Sequence, residues 1–321
     1  MPQRPEELVE LLPEAEPFLA ATSAGDEARV QQPGARRGLV LVHALSGDFD
    51  AASSAALAGA HLLGALPHHP IARLDADLLV DYRARRPRMS FAGDRYESFD
   101  APQIVLSALE DDAGTPFLLL TGPEPDYRWE AFTAAVAGLV ERLGVTSVVA
   151  LQAIPMPVPH TRPVTVTAHA TRRALIESYP VYWGDLRIPG SVPALLELRL
   201  GQAGVDALGV AAHVPHYLAQ ATYPAATLTL LEHVGRLTGL LLPTEALREA
   251  AQQHRTEVDE QIARSSDNTA VVAALEQQYD QFTAAREGSD LLGGVGEVPS
   301  GDEIGAEFER FLAEQDRRPG E

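Results

Sequence analysis

The first regular pattern of apolar positions lies in residues 39–66, which read LVLVHALSGDFDAASSAALAGAHLLGAL. The apolar run at 39–44 indicates a strand that is buried on both faces, and the polar turn at 45–50 ends it. Asp48 and Asp50 stand where an N-cap is needed, directly before a helix with one face of small residues. We therefore predict that the chain opens an α/β domain with this strand, loop and helix.

Later apolar runs predict a second such unit. Residues 103–109 and 116–121 have the pattern of strands separated by a polar turn that contains glycine. Apolar residues at helical spacing follow from Trp129 onward, and a strand at 146–153 returns, which predicts a βαβ crossover. Shorter patterns predict strands at 18–22, 71–80, 164–169 and 206–213, and helices at 192–203 and 225–238. The arginine-rich segment 82–96 and the proline-rich segment 154–163 are predicted to be irregular.

The pattern changes after Pro243. Two long polar stretches without proline or glycine, each with one narrow apolar stripe, predict an antiparallel helical hairpin. We divide the chain into an acidic N-terminal arm (1–17), an α/β/α core (18–242), the helical hairpin (243–287) and a flexible acidic tail with a short helix (288–321).

The composition excludes several classes of function. The formal charge of −20 argues against a nucleic-acid groove or binding to an anionic membrane surface. Cysteine is missing and all 25 basic residues are arginine, which excludes thiolate metal sites, a cysteine nucleophile and a Walker-A lysine. The acidic, proline-broken N-terminus is unlike a signal peptide, and no apolar run is long enough to span a bilayer, so we expect a cytoplasmic protein.

Two polar loops follow strands of the predicted sheet, at the edge where open α/β sheets bind ligands. The first contains Ser46, Gly47 and Asp48, and the second contains Gly122 and Glu124. Neither loop has the pattern of a nucleophile elbow, a P-loop or a dinucleotide fingerprint. Helix capping explains both loops without chemistry; if the strands are parallel neighbours, Glu124 could instead act as an acid or base in a shared crevice.

Histidines extend this candidate ligand crevice. His160 lies in the proline-rich segment, and His213, His216 and Tyr217 follow a later strand. Two histidines and a carboxylate could bind zinc, but their spacing falls on a loop and the chain has no HExxH motif. We therefore predict neither a metal site nor a cofactor.

Five arginines in segment 82–96 reverse the sign of an otherwise acidic chain. Such a cluster could bind a phosphate or carboxylate, or it could contact the acidic surface of a neighbouring subunit. We favour the subunit interface and add Trp183, an aromatic residue in an irregular segment that could equally belong to the core. The candidate interface residues are Arg83, Arg85, Arg86, Arg88, Arg95 and Trp183.

The order of four motifs resembles the proteasome-assembly-chaperone family, in its large actinobacterial-type branch. The motifs are HALSGDFDAA at 43–52, TGPEPDYRW at 121–129, ALQAIPMPVPHTRP at 150–163 and VAAHVPHYL at 210–218. The resemblance implies a three-layer α/β/α fold similar to nucleoside phosphorylases, a mostly parallel sheet, no established catalytic residues and a homo-oligomer, with a trimer favoured. Members that dock on a proteasome ring end in a hydrophobic residue, tyrosine and any residue; this sequence ends RRPGE, so that docking mode is not expected.

These patterns favour a non-catalytic, self-assembling protein that acts through contacts with other proteins. The alternative is an enzyme or small-ligand binder that uses the crevice defined above. In a third interpretation, partner binding falls to the C-terminal helical hairpin, whose removal would leave a folded core.

Overall fold

The computed structural model describes residues 5–15, 38–181 and 184–292. Ten strands are present in these segments. They are β1 Val9–Leu11, β2 Leu39–Ser46, β3 His68–Leu74, β4 Met89–Ala92, β5 Arg95–Phe99, β6 Ile104–Glu110, β7 Pro116–Pro123, β8 Val145–Met156, β9 Val166–Ala170 and β10 Asp206–Pro215. The α-helices are α1 Ser54–Ala65, α2 Ala76–Leu79, α3 Trp129–Arg142, α4 Val192–Gln202, α5 Pro224–Thr238, α6 Glu245–Ile262 and α7 Ser266–Leu292.

Eight strands form one mixed sheet in the order β1-β3-β6-β7-β2-β8-β10-β9. The four central strands, β7, β2, β8 and β10, are parallel to their neighbours within that group. Both edges are antiparallel: β1, β3 and β6 on one side, and β9 on the other. The predicted βαβ crossover is confirmed. The chain leaves β7, passes through α3 and returns as β8, which is parallel to β7 and is separated from it in the sheet by β2.

Helices cover both faces of this sheet, as the predicted α/β/α class requires. On one face, Leu41 of β2 and Leu118 of β7 belong to the same buried cluster as Phe132 of α3 and Leu196 of α4. On the other face, the neighbouring residues Val42 and Leu119 lie in a cluster with α1 and α5. Adjacent residues of the central strands therefore enter opposite cores, which explains why these strands are apolar at nearly every position.

The described part of segment 1–17, the predicted acidic arm, packs onto the core. A short 3-10 helix at Pro5–Leu8 leads into β1, which pairs with β3. Leu8 is 1% exposed and belongs to the core cluster shared by α3 and α4. The apolar residues between the glutamates thus extend the sheet by one strand.

Three other predictions need correction. The strand predicted at 71–80 ends at Leu74, where the Asp75 carboxylate accepts hydrogen bonds from the backbone of Asp77 and Leu78 and starts α2. The strand predicted to end at 153 continues to Met156. Helix α7 continues to Leu292, past the predicted start of the tail at 288, while the strand predicted at 18–22 and residues 293–321 lie outside the described residues.

The C-terminal hairpin helices are present as α6 and α7, and both contact the proline-rich segment of the core. Arg162 makes two hydrogen bonds to the Asp280 carboxylate, 2.8 Å from Nε and 2.7 Å from Nη2. The Tyr279 hydroxyl donates to the Pro163 carbonyl over 3.1 Å, and Arg255 donates to the Thr161 carbonyl over 3.2 Å. These polar contacts fix both helices against one loop. None of the helices within the described segments combines the length and apolar character that crossing a bilayer requires.

Candidate functional site

The carboxyl ends of β2 and β7 meet at the sheet edge where the crevice was predicted. The two strands are parallel neighbours, and Ser46 pairs with Pro123. The Glu124 N–H donates to the Ser46 carbonyl over 2.8 Å, and the Ser46 hydroxyl lies 3.4 Å from the Gly122 carbonyl. The condition for a shared location, that the two strands are parallel neighbours, is therefore met, and the two loops adjoin.

Glu124 fills this edge instead of facing an open crevice. Its side chain is 7% exposed, and its Oε1 accepts a 2.6 Å hydrogen bond from the Val192 N–H at the first residue of α4. Burial raises the pKa of this carboxyl, and the nearby charge of Asp48 raises it further. Glu124 thus satisfies an unpaired N–H at the positive end of α4, a helix that begins 68 residues later.

Gly47 is what lets the first loop pass so close to Glu124. A β-carbon at this position would lie 1.8 Å from Oε2 of Glu124, so any larger residue would displace the carboxylate. Of the two predicted helix caps, Asp48 and Asp50, it is Asp50 whose two carboxylate oxygens accept from the N–H groups of Ala55 and Ala56 at the start of α1. Both polar loops therefore serve helix starts.

Arg85 closes the same edge from outside. Its guanidinium donates to the Glu124 carbonyl over 2.7 Å, lies 3.4 Å from the Ser46 carbonyl and forms an ion pair with Asp126. Arg85, one of the predicted interface residues, therefore has its charge already paired within the chain. The Glu124 carbonyl, directly beyond the end of β7, accepts its hydrogen bond from this side chain.

Glu124→Ala is expected to lower the free energy of unfolding by about 2 kcal/mol, because the Val192 N–H would lose its partner in a buried position. Urea unfolding of both proteins measures the difference. Glu130→Ala is the matched control: Glu130 also lies in the first turn of a helix, but its carboxylate is exposed and pairs with Arg199 at the surface. A loss for Glu124→Ala no larger than for the control would contradict the capping role.

His160 and Tyr217 contact each other beside helix α6. The His160 Nδ1 lies 2.7 Å from the Tyr217 hydroxyl, and the Nε2 lies 2.9 Å from an Asp259 carboxylate oxygen. The His160 backbone N–H also donates to the Tyr217 hydroxyl over 2.9 Å. His160 is 5% exposed, and burial raises the pKa of Tyr217. The cluster connects three distant segments of the chain, and Asp259 is the member that the sequence did not indicate.

His213 and His216 have different surroundings. His213 is 3% exposed, and its ring nitrogens each lie 2.8 Å from a threonine hydroxyl, Thr165 on one side and Thr167 on the other. Burial lowers its pKa to about 4, so it is neutral at physiological pH. His216 is exposed, with its ring 5.4 Å from that of Tyr217. The nine predicted crevice residues therefore separate into sets with their own structural partners.

A polar cluster that sequence reasoning missed lies between the sheet and α4. His169 of β9 lies 2.8 Å from the Glu197 carboxylate and 2.9 Å from the Gln152 side-chain oxygen. Nearby His43 is 2% exposed, and its Nδ1 has no hydrogen-bond partner among the described residues. Burial lowers its pKa to about 4. The available signal was a single histidine inside the apolar run of β2. Among residues 5–15, 38–181 and 184–292, no three histidine or carboxylate side chains lie close enough to hold a metal ion.

The remaining arginines of segment 82–96 are exposed and surround strands that the sequence analysis treated as a loop. Among the described strands, β4 and β5 pair only with each other, through a turn in which Gly93 adopts a φ of 64°. Arg83, Arg86, Arg88 and Arg95 are all exposed along this segment. Trp183 lies outside the described residues.

Comparison with known proteins identifies relatives of the whole fold. The PAC2 family model matches residues 44–262. A Mycobacterium tuberculosis protein of unknown function, Rv2714, is 45% identical with a TM-score of 0.81, over 90% of this chain and 94% of that one. A Corynebacterium glutamicum protein of unknown function is 37% identical with a TM-score of 0.76, over 85% and 97%.

A third similar structure is the Mycobacterium tuberculosis proteasome-assembly chaperone homologue Rv2125. It is 28% identical with a TM-score of 0.68, over 73% of this chain and 100% of that one. A search of curated proteins found no match to the chain. The family model spans most of the chain, including the two polar loops, β8, β10 and helix α6. The chain therefore belongs to the PAC2 family.

Proposed function

We propose that this protein self-assembles and acts through contacts with other proteins, and that β4 and β5 form the surface by which its copies associate. The observation that carries this proposal is the exposure of the hairpin. Met89, Phe91, Tyr96 and Phe99 are 54%, 60%, 68% and 48% exposed. An isolated two-stranded hairpin is at best marginally stable in water, so this one needs a further surface to cover it.

The register of the hairpin gathers these side chains on one face. Met89 pairs with Phe99 and Phe91 pairs with Tyr96, and a bulge between the two pairs keeps all four on the same side. The Phe91 and Tyr96 rings lie 5.1 Å apart in an edge-to-face arrangement. Aromatic clusters of this kind, rimmed by arginine, are typical of the centres of protein interfaces.

The sheet edge at which α/β enzymes bind ligands is occupied by the chain's own side chains, which supports the same proposal. Glu124 and Arg85 occupy the ends of β2 and β7 with bonds to the chain's own backbone. The relative named a proteasome-assembly chaperone homologue further supports a role in contacting proteins. We propose that the biological partner is a protein whose assembly or activity this oligomer assists.

Light scattering after size exclusion tests this proposal. At tens of micromolar, the unmodified protein is expected to have a multiple of the chain mass of 34.4 kDa, and the variant Phe91→Ser with Tyr96→Ser is expected to have the mass of one chain. The matched control is Leu198→Ser with Leu241→Ser, which removes apolar side chains of similar exposure, 54% and 59%, outside the hairpin.

Circular dichroism should show that both variants keep the fold, because the substituted residues lie at the surface. A monomeric unmodified protein would overturn self-assembly. An oligomer that survives the hairpin substitutions would overturn the role of the hairpin.

A further inference from the structure

Helix α7 contributes little to the cores of the molecule. Over residues 266–285, only Val272 and Leu275 are buried, at 7% and 9% exposure, and most of the other side chains are exposed. Neither buried residue belongs to the two core clusters that cover the faces of the sheet, and no other described residue of α7 does. A long helix with so little buried apolar surface gains little stability from packing.

Helix α6, in contrast, is anchored in the core. Leu247 is buried in the cluster that also contains helices α1 and α5. Near the other end of α6, Asp259 is bonded to the buried ring of His160. Only residues 263–265 connect α6 to α7. A movement of α7 about this connection therefore leaves the anchors of α6 intact.

Polar bonds to the proline-rich segment hold α7 in its position. Besides its two bonds to the Asp280 carboxylate, Arg162 donates from Nη1 to a Glu276 carboxylate oxygen over 3.2 Å. The same oxygen accepts a hydrogen bond from the Thr161 hydroxyl. The Tyr279 hydroxyl donates to a backbone carbonyl of this segment. These three residues of α7 are spaced three and four apart, so a single face of the helix makes all of these bonds.

Charge is the main component of this attachment, and solvent reaches it. Arg162 is shared by the two carboxylates of α7; its side chain and that of Glu276 are partly exposed, and Asp280 is exposed. Salt screens ion pairs that solvent reaches, whereas it does not weaken the burial of apolar side chains in a core. The position of α7 therefore depends on ionic strength, and the positions of the core helices do not.

We propose that helix α7 is a strap, latched to the core by Arg162, that opens at residues 263–265 while the sheet and α6 stay folded. Opening separates Glu276 and Asp280 from Arg162 and uncovers the end of the proline-rich segment together with Val272 and Leu275. A rise in ionic strength favours the open form. The strap is a conformational device distinct from the hairpin surface proposed above for self-assembly.

Hydrogen exchange followed by mass spectrometry tests the strap on the full chain. At about 20 mM salt, the amides of residues 266–285 are expected to exchange faster than those of the central strand β2, which open only with the whole fold. Raising the salt to about 500 mM should accelerate exchange in α7 about fivefold relative to β2. Arg162→Gln should give a similar acceleration at low salt and remove most of the salt dependence.

Arg199→Gln is the matched control. Arg199 makes the same two-bond contact with Glu130, but it joins helices α4 and α3, which both bury apolar residues in the core. This control should leave exchange in α7 unchanged. Amides of α7 that exchange as slowly as those of β2 would overturn the strap, because α7 would then open only when the whole fold does. Unchanged exchange of α7 in Arg162→Gln would overturn the latch.

Discussion

Lowering the pH from 7 to 5 is expected to cost the folded protein about 4 kcal/mol through two buried imidazoles, His43 and His213. Burial lowers the pKa of each from its ordinary value of 6.5 to about 4. As the pH falls below 6.5, the unfolded chain binds these protons and the folded chain does not. Above pH 6.5 these two histidines therefore leave the free energy of unfolding unchanged, and they lower it progressively as the pH falls toward 4.

Each of the two histidines accounts for about half of this loss, and a substitution of His43 gives the sharper test. His43→Leu puts an apolar side chain of similar size in place of a buried imidazole. Within the described part of the chain, the Nδ1 of this imidazole has no hydrogen-bond partner. Urea unfolding at pH 7 and at pH 5 should show that this variant loses about 2 kcal/mol less than the unmodified protein over the same interval.

His69→Gln is the control for this measurement, because His69 lies exposed on β3. It should have the same pH dependence as the unmodified protein. If His43→Leu also keeps that dependence, the buried imidazole is not a source of acid sensitivity. The pKa of half-buried His233 is also lowered to about 4, by burial and by Arg236. His233 therefore also lowers the free energy of unfolding as the pH falls, and it does so equally in every variant.

Gly122→Ala is expected to destabilise the fold by about 3 kcal/mol. Gly122 has a φ of 136°, which residues with a side chain rarely adopt. A β-carbon there would lie 2.4 Å from the Gln103 carbonyl oxygen and 2.8 Å from the Cα of Ile104. Because both obstacles are backbone atoms of the neighbouring segment, no side-chain rotation can relieve the contact.

Thermal or urea unfolding measures this effect against Gly138→Ala on helix α3. A β-carbon at Gly138 would meet no atom of the described residues within 4 Å, and the residue lies inside a regular helix. This control should therefore gain about 0.5–1 kcal/mol of stability. Opposite signs for the two substitutions are the expected result. A Gly122→Ala variant as stable as the unmodified protein would show that β6 and β7 can separate at this point.

The sequence predicted the central strands well, because each has a continuous apolar run between polar turns. Prediction from the sequence failed where contacts between distant segments determine the structure. Strand β8 continues through Pro155, a residue that normally ends a strand. Beyond the bridge at Ala153, β10 is the only described strand that pairs with it. A missing N–H on the unpaired side costs no ladder bond. That one-sided pairing follows from the length of β2 and cannot be inferred from residues 154–156.

The candidate site shows the same limit at longer range. Local sequence indicated that Glu124 would accompany a helix start, and it does, but the helix is α4 and not the adjacent α3. Asp259 reaches His160 from 99 residues away. Arg85 lies among four exposed arginines and is the one directed inward. No local pattern distinguishes such a residue from its neighbours, because its partners are set by tertiary packing.

The hairpin was missed for a different reason, since its signal was present. Residues 89–99 contain two short runs with aromatic residues on either side of Gly93 and Asp94, a pattern that favours a two-residue turn. The arginines around these runs favoured a loop. Turn chemistry was the better guide here, because charged residues at the rim of a hairpin do not prevent it from forming.

The central position of β2 has a consequence for how the protein is made. Leu41 pairs with Leu118 and with Val148, 77 and 107 residues further along the chain. During synthesis this apolar segment leaves the ribosome long before either neighbour exists, and it stays uncovered until β8 has emerged. The nascent chain therefore passes through a long aggregation-prone interval, during which a general chaperone that holds residues 39–46 would raise the yield of folded protein.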